Sequence, residues 1–143
     1  MSDCIFCKII SGDIPATKVY EDAGFLAFLD IHPVSPGHTL VIPKQHYDRF
    51  ETTPPEVVAE LYKLLRSIAV SIAAGAGADA FNLGVNNGPA AGQVIFHTHV
   101  HVIPRKPKDG LESWGSRDYE GTEMDEVAKK IRAAIKQSAA SRE

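Results

Sequence analysis

The sequence predicts an α+β protein whose antiparallel sheet is covered on one side. Its 143 residues, of which 44% are hydrophobic and 23% charged, fit one globular domain with a substantial core. Five short segments have the composition of strands, and one long amphipathic segment interrupts them. Strands that do not alternate with helices favour antiparallel pairing over a parallel sheet.

The strands follow from turn residues and composition. Each of the five segments is rich in β-branched and apolar residues and is flanked by turn-forming or polar residues. The first two flank Asp22-Ala23-Gly24, which predicts a hairpin. The predicted strands are residues 17–21, 25–29, 39–43, 81–85 and 97–103.

Two helices are predicted before the last two strands. Residues 4–10 form about two helical turns. The longer helix begins at Thr53, where Thr-Pro-Pro-Glu combines a capping box with proline in the first turn, and it ends at Gly75 and Gly77. The residues expected to face the core are Ile5, Phe6 and Ile9 in the first helix, and Val57, Leu61, Leu64, Leu65, Ile68 and Ile72 in the second.

The C-terminal part predicts a loop and then a helix. Residues 105–121 are rich in Gly and charge, which is typical of an irregular segment. A helix is expected over residues 122–140, because Thr122 is followed by Asp125 three residues later. Its residues expected to face the core are Met124, Val127, Ile131 and Ile135.

Charge and hydropathy exclude several partners. A net charge of −3 without a basic run argues against long nucleic acids. No apolar stretch approaches the roughly 18–20 residues that span a bilayer, so no membrane partner is expected. The first ten residues lack the basic region and apolar core of a secretory signal, and Cys4 and Cys7 are too few for a disulfide framework. We therefore expect a cytoplasmic protein.

Three histidines, His97, His99 and His101, alternate in the last predicted strand. A period of two puts their rings on one face, while the opposite face packs on the core. The outer two Cα atoms are roughly 13 Å apart in a strand, so one metal ion cannot bind all three rings, although an adjacent pair could. A neutral imidazole is a nucleophile, and a second can donate a proton or stabilise charge, which suits attack on phosphorus. A single exposed histidine is more often merely solvated, but three in this pattern favour chemistry.

Residues 86–93 (NNGPAAGQ) predict a loop that can approach a ligand closely, because they are mostly small. Its backbone N–H groups can face an anion. Taken alone, such a segment is more often a simple turn. The sequence contains neither GxxxxGK[ST] nor a GxGxxG that opens a βαβ unit, which excludes the common ATPase and dinucleotide-binding classes.

These features together resemble the histidine triad (HIT) family, in the branch of histidine triad nucleotide-binding proteins that act on purine nucleoside phosphoramidates. The matching segments are residues 4–15, 25–44, 86–93 and 97–101. The resemblance implies a single domain over residues 1–143. It also implies a homodimer in which two five-stranded sheets join, and a nucleotide site beside the triad strand.

The resemblance also implies roles for individual residues. His99 would attack the α-phosphorus and form a nucleotidyl-histidine intermediate, and His101 would hydrogen-bond the phosphate. Asp30 would bind the ribose hydroxyls, although an aspartate at a strand end can also be a turn residue. His38 would orient the triad. The phosphate loop would comprise Asn86, Gly92, Gln93 and Val94, with backbone N–H groups around Gln93 and Val94, and the purine would lie against Ile5, Phe6, Ile9, Phe28 and Ile31.

Val94 departs from many eukaryotic relatives, which have serine at this position. A serine hydroxyl often contacts the phosphate or the leaving group, whereas valine offers only its backbone N–H. The departure indicates weaker phosphoramidate turnover or a different leaving group. The irregular loop with Trp114 is expected to approach the leaving group, from its own or the partner subunit.

The Cys4-x-x-Cys7 motif has two interpretations. A redox pair usually follows a strand at the start of a helix, and no strand precedes this motif. Bacterial-type family members that share CxxC and IPKxH carry zinc on these positions, so the resemblance implies structural Zn²⁺ on Cys4, Cys7, His46 and His97. A zinc-bound His97 could not shuttle protons, which would leave catalysis to the other two triad histidines.

The function expected from the sequence is therefore hydrolysis of purine nucleoside 5′-phosphoramidates to the monophosphate and an amine. Hydrolysis of dinucleoside polyphosphates, or nucleotidyl transfer, is an alternative. Transferase branches commonly have glutamine in place of the last triad histidine, so His101 argues against transfer. A nucleotide-sensing interaction protein with vestigial hydrolysis is a third possibility.

Overall fold

The computed structural model describes residues 3–112 and 114–141, within which there are five strands and three α-helices. The elements are α1 (Ile5–Ser11), β1 (Lys18–Glu21), β2 (Phe25–Leu29), β3 (Thr39–Pro43), α2 (Pro55–Gly75), β4 (Ala80–Gly84), β5 (Val100–Arg105) and α3 (Glu123–Ser141). The predicted α+β class and the five-stranded sheet are confirmed.

The strands form one antiparallel sheet in the order β1-β2-β3-β5-β4. The hairpin predicted around Asp22 pairs β1 with β2, and the Asp22 side chain accepts from the N–H groups of Gly24 and Phe25 at 2.8 Å. β5 lies between β3 and β4, so that His101 is opposite Leu40 on one side and Gly84 on the other.

The sheet is covered on both faces, which corrects the expectation that only one side is covered. α2 packs on one face, where the buried residues are Ala27, Val41, Leu61, Leu65, Ala69, Val100 and Val102. The short α1 packs on the other, where the buried residues are Phe6, Ile9, Leu26, Phe28, Leu40 and Ile42. The cause is visible in β2 and β3, whose apolar residues run continuously instead of alternating.

Local hydrogen bonds define both ends of α1. The Cys4 sulfur accepts from the Cys7 N–H at 3.4 Å, and Gly12 ends the helix with a positive φ of 86° that suits glycine. A helix of seven residues is too short to be stable alone. The burial of Phe6 and Ile9 against the sheet therefore holds α1 in place.

Most predicted element boundaries differ from the structure by one to three residues, and three of these differences are instructive. β5 begins at Val100, not at residue 97, because the Thr98 N–H donates to the Tyr47 carbonyl, beyond the end of β3. α2 begins at Pro55 without a side-chain cap, because the Thr53 hydroxyl donates to the Arg49 carbonyl at 2.7 Å. The predicted capping box is therefore wrong. β4 lies one residue earlier than predicted.

The described residues divide into two compact units, one up to Asp109 and the other from Gly110 onward. α3 matches the expected C-terminal helix closely, and the described residues from 106 to 122 contain no helix or strand. The prediction that α3 buries Met124, Val127, Ile131 and Ile135 is wrong, because these side chains are 37–61% exposed. α1 and α2 already cover the sheet faces. A single domain over residues 1–143 stays a prediction.

No helix in residues 3–112 or 114–141 combines the length and apolarity needed to cross a bilayer.

Candidate active site

A cavity of about 450 Å³ lies between α1, the end of β2 and the loop before β5. All the residues predicted to bind nucleotide line it, except Gln93. Sequence reasoning did not identify the other lining residues, which are Ile14, Pro15, Ala16, Leu29, His32, Leu40 and Ile95. Larger grooves of about 510–690 Å³ elsewhere in residues 3–109 contain no histidine among their lining residues.

The His99 ring is held by its own chain. Its Nδ1–H donates to the His97 carbonyl oxygen at 2.6 Å, which fixes the proton on Nδ1 and the lone pair on Nε2. The Phe6 ring packs edge-on against it, with ring centroids 5.2 Å apart and planes at 90°. His99 is 8% exposed and lines the cavity, so the lone pair on its Nε2 has a fixed direction.

A chain of hydrogen bonds fixes the protons of His38 and His101. The Val34 N–H donates to His38 Nδ1 at 3.0 Å, so a neutral His38 carries its proton on Nε2. That Nε2–H donates to His101 Nδ1 at 2.9 Å, which leaves the His101 proton on Nε2. Among the described residues, buried His101 Nε2 has no hydrogen-bond partner. An unpaired buried donor is costly, and an anionic ligand in the cavity would satisfy it.

Asp30 lies at the end of β2 and lines the same cavity. One carboxylate oxygen accepts from the His32 N–H at 2.8 Å, and the other lies 3.7 Å from His38 Nε2. Asp30, His38 and His101 place ligand-type atoms within 4.8 Å of one another. The Val34 N–H nevertheless requires a proton on His38 Nε2, so this cluster is a hydrogen-bond chain and not a metal site.

The loop before β5 is braced internally. The Gln93 side chain accepts from the Gly88 N–H and donates to the carbonyls of Asp48 and Ile95. Its backbone N–H donates to the Gly88 carbonyl at 3.0 Å. The expectation that the Gln93 N–H faces the phosphate is therefore wrong, because the loop already uses that donor. Gly88 and Gly92 have φ of 90° and 95°, which explains why glycine is needed there.

The apolar lining differs in burial from one end of the cavity to the other. Phe6 and Phe28 are buried, and their rings meet edge-to-face with centroids 5.4 Å apart. Ile31 is 85% exposed and Val94 is 81% exposed, although both line the cavity. Exposed aliphatic side chains at the mouth of a cavity can be covered by a flat apolar ligand.

Cys4, Cys7, His46 and His97 form a second cluster, whose ligand atoms all lie within 4.8 Å of one another. His97 Nε2–H donates to the Pro43 carbonyl at 2.8 Å, and His46 Nε2–H donates to Asp48 at 2.7 Å. Both rings therefore present an Nδ1 lone pair to the sulfurs. Such outer partners orient metal-binding histidines. Sequence reasoning missed the Pro43 and Asp48 acceptors, although Asp48 lies only two residues after His46.

The spacing within this cluster fits a zinc ion. The Nδ1–Sγ distances are 3.6 Å for His97 and Cys4, 3.7 Å for His97 and Cys7, and 3.3 Å for His46 and Cys7. A tetrahedral ion about 2.3 Å from sulfur and 2.0–2.1 Å from nitrogen separates such atoms by about 3.6 Å. Burial, together with the adjacent Cys4, raises the pKa of the Cys7 thiol, and a dication would favour its thiolate form.

Burial also keeps the cavity histidines neutral. It lowers the pKa of His101 to about 4, with the neighbouring His99 and His38 rings adding to the effect. It lowers the pKa of His99 as well, against the opposing hydrogen bond to the His97 carbonyl. At physiological pH both rings are therefore neutral, with a free lone pair on His99 Nε2 and a hydrogen-bond donor on His101 Nε2.

Three alternating histidines at the start of an antiparallel strand, of which His99 and His101 line a cavity, define the histidine triad class of α+β proteins. A comparison with known families matches residues 11–108 to the HIT domain. The chain belongs to the HIT domain family.

Named relatives and solved structures agree with this assignment. The chain is 47% identical to adenylylsulfatase HINT3 of Arabidopsis thaliana, over 94% of this chain and 68% of the relative. It is 39% identical to adenosine 5′-monophosphoramidase hnt1 of Schizosaccharomyces pombe, over 93% and 98%. A Zn-bound histidine triad family protein from Mycobacterium smegmatis superposes with a TM-score of 0.74 at 42% identity, covering 98% of each chain.

The lowered pKa of His101 predicts a pH-dependent stability. Between pH 6.5 and about 4 the unfolded chain binds a proton at His101 that the folded chain does not, so stability falls as pH falls through this window. The loss is at most about 1.4 kcal/mol per pH unit for this proton. Urea unfolding at several pH values should show a shallower dependence for His101→Asn than for the unaltered protein. The exposed His32→Asn is the control, and an unchanged dependence in His101→Asn would contradict the assignment.

Proposed function

We propose that this protein hydrolyses purine nucleoside 5′-phosphoramidates to the nucleoside monophosphate and an amine, through a nucleotidyl intermediate on His99. The main support is the pairing of a directed His99 Nε2 lone pair with the unpartnered Nε2–H of His101 in one cavity. The two named relatives, an adenylylsulfatase and an adenosine monophosphoramidase, have names that describe substrates containing an AMP group. A substrate with an AMP group agrees with both names.

The reaction proceeds in two displacements at phosphorus. In the first, His99 Nε2 forms a bond to the α-phosphorus, the P–N bond to the amine breaks, and the amine nitrogen takes up one proton from the solvent. In the second, water attacks the same phosphorus, the bond to His99 breaks, and the attacking water gives up one proton to the solvent. His101 Nε2–H donates to a phosphoryl oxygen and stabilises the charge that develops there. Because imidazole is a better nucleophile than water in the first displacement and a good leaving group in the second, the covalent route divides one difficult step into two easier ones.

The rest of the cavity binds the nucleoside and the phosphate. Asp30 retains lone pairs that can accept from the ribose hydroxyls, since its observed partners use only part of its capacity. The purine lies against the apolar wall, whose residues are Ile5, Phe6, Ile9, Phe28 and Ile31. Asn86, Gly92 and the Val94 N–H serve the phosphate. Gln93 holds the loop in shape through its side chain.

Removal of the nucleophile tests this proposal. His99→Ala should lower kcat for an adenosine phosphoramidate at least about a thousandfold, because the substitution removes the Nε2 lone pair that attacks the phosphorus. AMP affinity, measured by calorimetry, should stay within about tenfold of the unaltered protein, since most binding contacts remain.

A second measurement identifies the intermediate. Turnover of a phosphorus-labelled substrate, quenched with an alkaline denaturant, should leave label on the unaltered protein that later acid treatment removes, and no label on His99→Ala. Tight AMP binding without release of AMP from any phosphoramidate would instead support the nucleotide-sensing alternative.

Cys4, Cys7, His46 and His97 are proposed to hold a structural zinc ion. The support is the lone-pair geometry of the two histidines, the tetrahedral spacing and the Zn-bound relative. Bound zinc would join α1 to the segment before β5 and would supply no step of the chemistry. The cytoplasm, where thiols stay reduced, is the compartment that suits this ligand set.

Loss of the thiols tests the structural role. Cys4→Ser/Cys7→Ser should bind no zinc by elemental analysis and should unfold at a lower temperature than the metal-loaded protein, because α1 then depends on packing alone. Chelator-treated unaltered protein is the matched control and should show a similar Tm. Complete loss of phosphoramidate hydrolysis in a folded double variant would contradict a purely structural ion.

A homodimer joined through β4 and α2 is also proposed. β4 is an edge strand of the sheet, and an unpaired edge favours strand addition. Beside it, Tyr62 and Val70 of α2 and Leu83 of β4 are 39%, 61% and 39% exposed and line one groove. A second copy that pairs with β4 would cover this apolar surface.

A charge in this groove tests the dimer. Val70→Asp should convert the protein to a monomer in light scattering, because dimerisation would bury an unpaired carboxylate. Val19→Asp is the matched control, since Val19 is 49% exposed on β1 at the opposite edge of the sheet. A dimer that survives Val70→Asp would exclude this face as the interface.

A further inference from the structure

A smaller groove adjoins the active-site cavity. It has a volume of about 370 Å³, and Ile5, Val94 and Ile95 line both the groove and the cavity. The groove is completed by Asp3, Cys4 and Phe96. A substrate whose phosphate lies beside the Val94 N–H can therefore extend from the cavity into the groove.

The two spaces have a distinct charge pattern. Their described lining residues include two carboxylates, Asp3 in the groove and Asp30 in the cavity, and no lysine or arginine. Arg49 is the cation beside the groove, but its guanidinium lies 5.7 Å from the centroid of the Phe96 ring and 4.0 Å from the Glu51 carboxylate. Its charge is therefore already shared with these two partners.

The shared wall is aliphatic. Val94 is 81% exposed, and Ile5 is 42% exposed, so both offer accessible methyl groups between the cavity and the groove. Such a wall suits methylene or aromatic groups and gives no side-chain hydrogen bond to an anion. A sulfate leaving group, which carries its charge next to the phosphorus, has no side-chain cation to pair with here.

We propose that this groove receives the leaving group and selects amines with an apolar stem and a cationic end over anionic leaving groups such as sulfate. The stem contacts Ile5, Val94 and Phe96, and the cationic end pairs with Asp3. This inference rests on the proposed phosphoramidate hydrolysis and names its leaving-group class. Val94 and Asp3 then determine the specificity for the leaving group, while His99 Nε2 remains the nucleophile.

Three adenosine substrates test the selection. Two are phosphoramidates of equal chain length, one with 1,4-diaminobutane and one with 4-aminobutanoate as the leaving amine, and the third is adenosine 5′-phosphosulfate. We expect kcat/KM to favour the diamine compound over the carboxylate compound by about three- to tenfold, with the ratio falling as salt rises.

Two pairs of variants locate the effect. Asp3→Asn should bring the ratio of kcat/KM between the diamine and carboxylate compounds to within about twofold of unity. Asp13→Asn removes an equal charge from a residue that lines neither the cavity nor the groove, and it should leave this ratio unchanged. Val94→Lys should favour the carboxylate and sulfate substrates, whereas Val19→Lys on β1 should not. Equal metal content in Asp3→Asn and the unaltered protein excludes an effect through the neighbouring Cys4.

The outcomes separate this inference from the proposed function. All three substrates could be cleaved while neither Asp3→Asn nor Val94→Lys alters the ratio of kcat/KM between the diamine and carboxylate compounds. That result would overturn the leaving-group subsite and leave the hydrolase proposal intact. If no substrate is cleaved, the hydrolase proposal fails. In that case, the dissociation constants of the same compounds from His99→Ala still measure the charge selection. Equal dissociation constants for the diamine and carboxylate compounds would overturn the proposed subsite.

Discussion

The hydrogen bond from the His99 ring to the His97 carbonyl is the contact on which the candidate active site depends. Through this bond, the backbone at residue 97 sets the direction of the His99 Nε2 lone pair. That backbone is held from two sides, since the His97 ring donates to Pro43 at the end of β3 and faces the thiols of α1. One residue, His97, therefore links the sheet, the N-terminal helix and the His99 ring. Any shift of His97 would be transmitted to His99 without a change in His99 itself.

Burial, and not the sheet alone, keeps these histidines in the neutral state that their proposed roles require. A row of imidazoles on an open sheet face would be hydrated and partly protonated near neutral pH. α1 covers this face, so the rings remain neutral, and backbone groups at Val34, Pro43 and His97 determine which nitrogen carries each proton. The unpartnered donor on His101 is the cost of this arrangement. A bound phosphate would convert that cost into binding energy.

Sequence reasoning located the elements well and their environments less well. Turn residues around Asp22 and alternation in the triad segment identified β1, β2 and β5, because these signals are local. The cover of α1 on the second sheet face was missed, although the uninterrupted apolar runs of β2 and β3 are its signal. The late start of β5 depends on the contact of Thr98 with Tyr47, and the role of Gln93 depends on three backbone partners distributed over residues 48–95. Such long-range contacts have no periodic signature.

The position of α1 in the chain has a practical consequence. This helix begins at the fifth residue, it carries the aromatic ring that packs on His99, and Asp3 immediately before it lines the neighbouring groove. A purification tag fused ahead of α1 would be close in sequence to this groove and could compete with a ligand for its space. Recombinant versions intended for kinetics or crystallography are better extended after α3, where an appended peptide is remote in sequence from every cavity-lining residue.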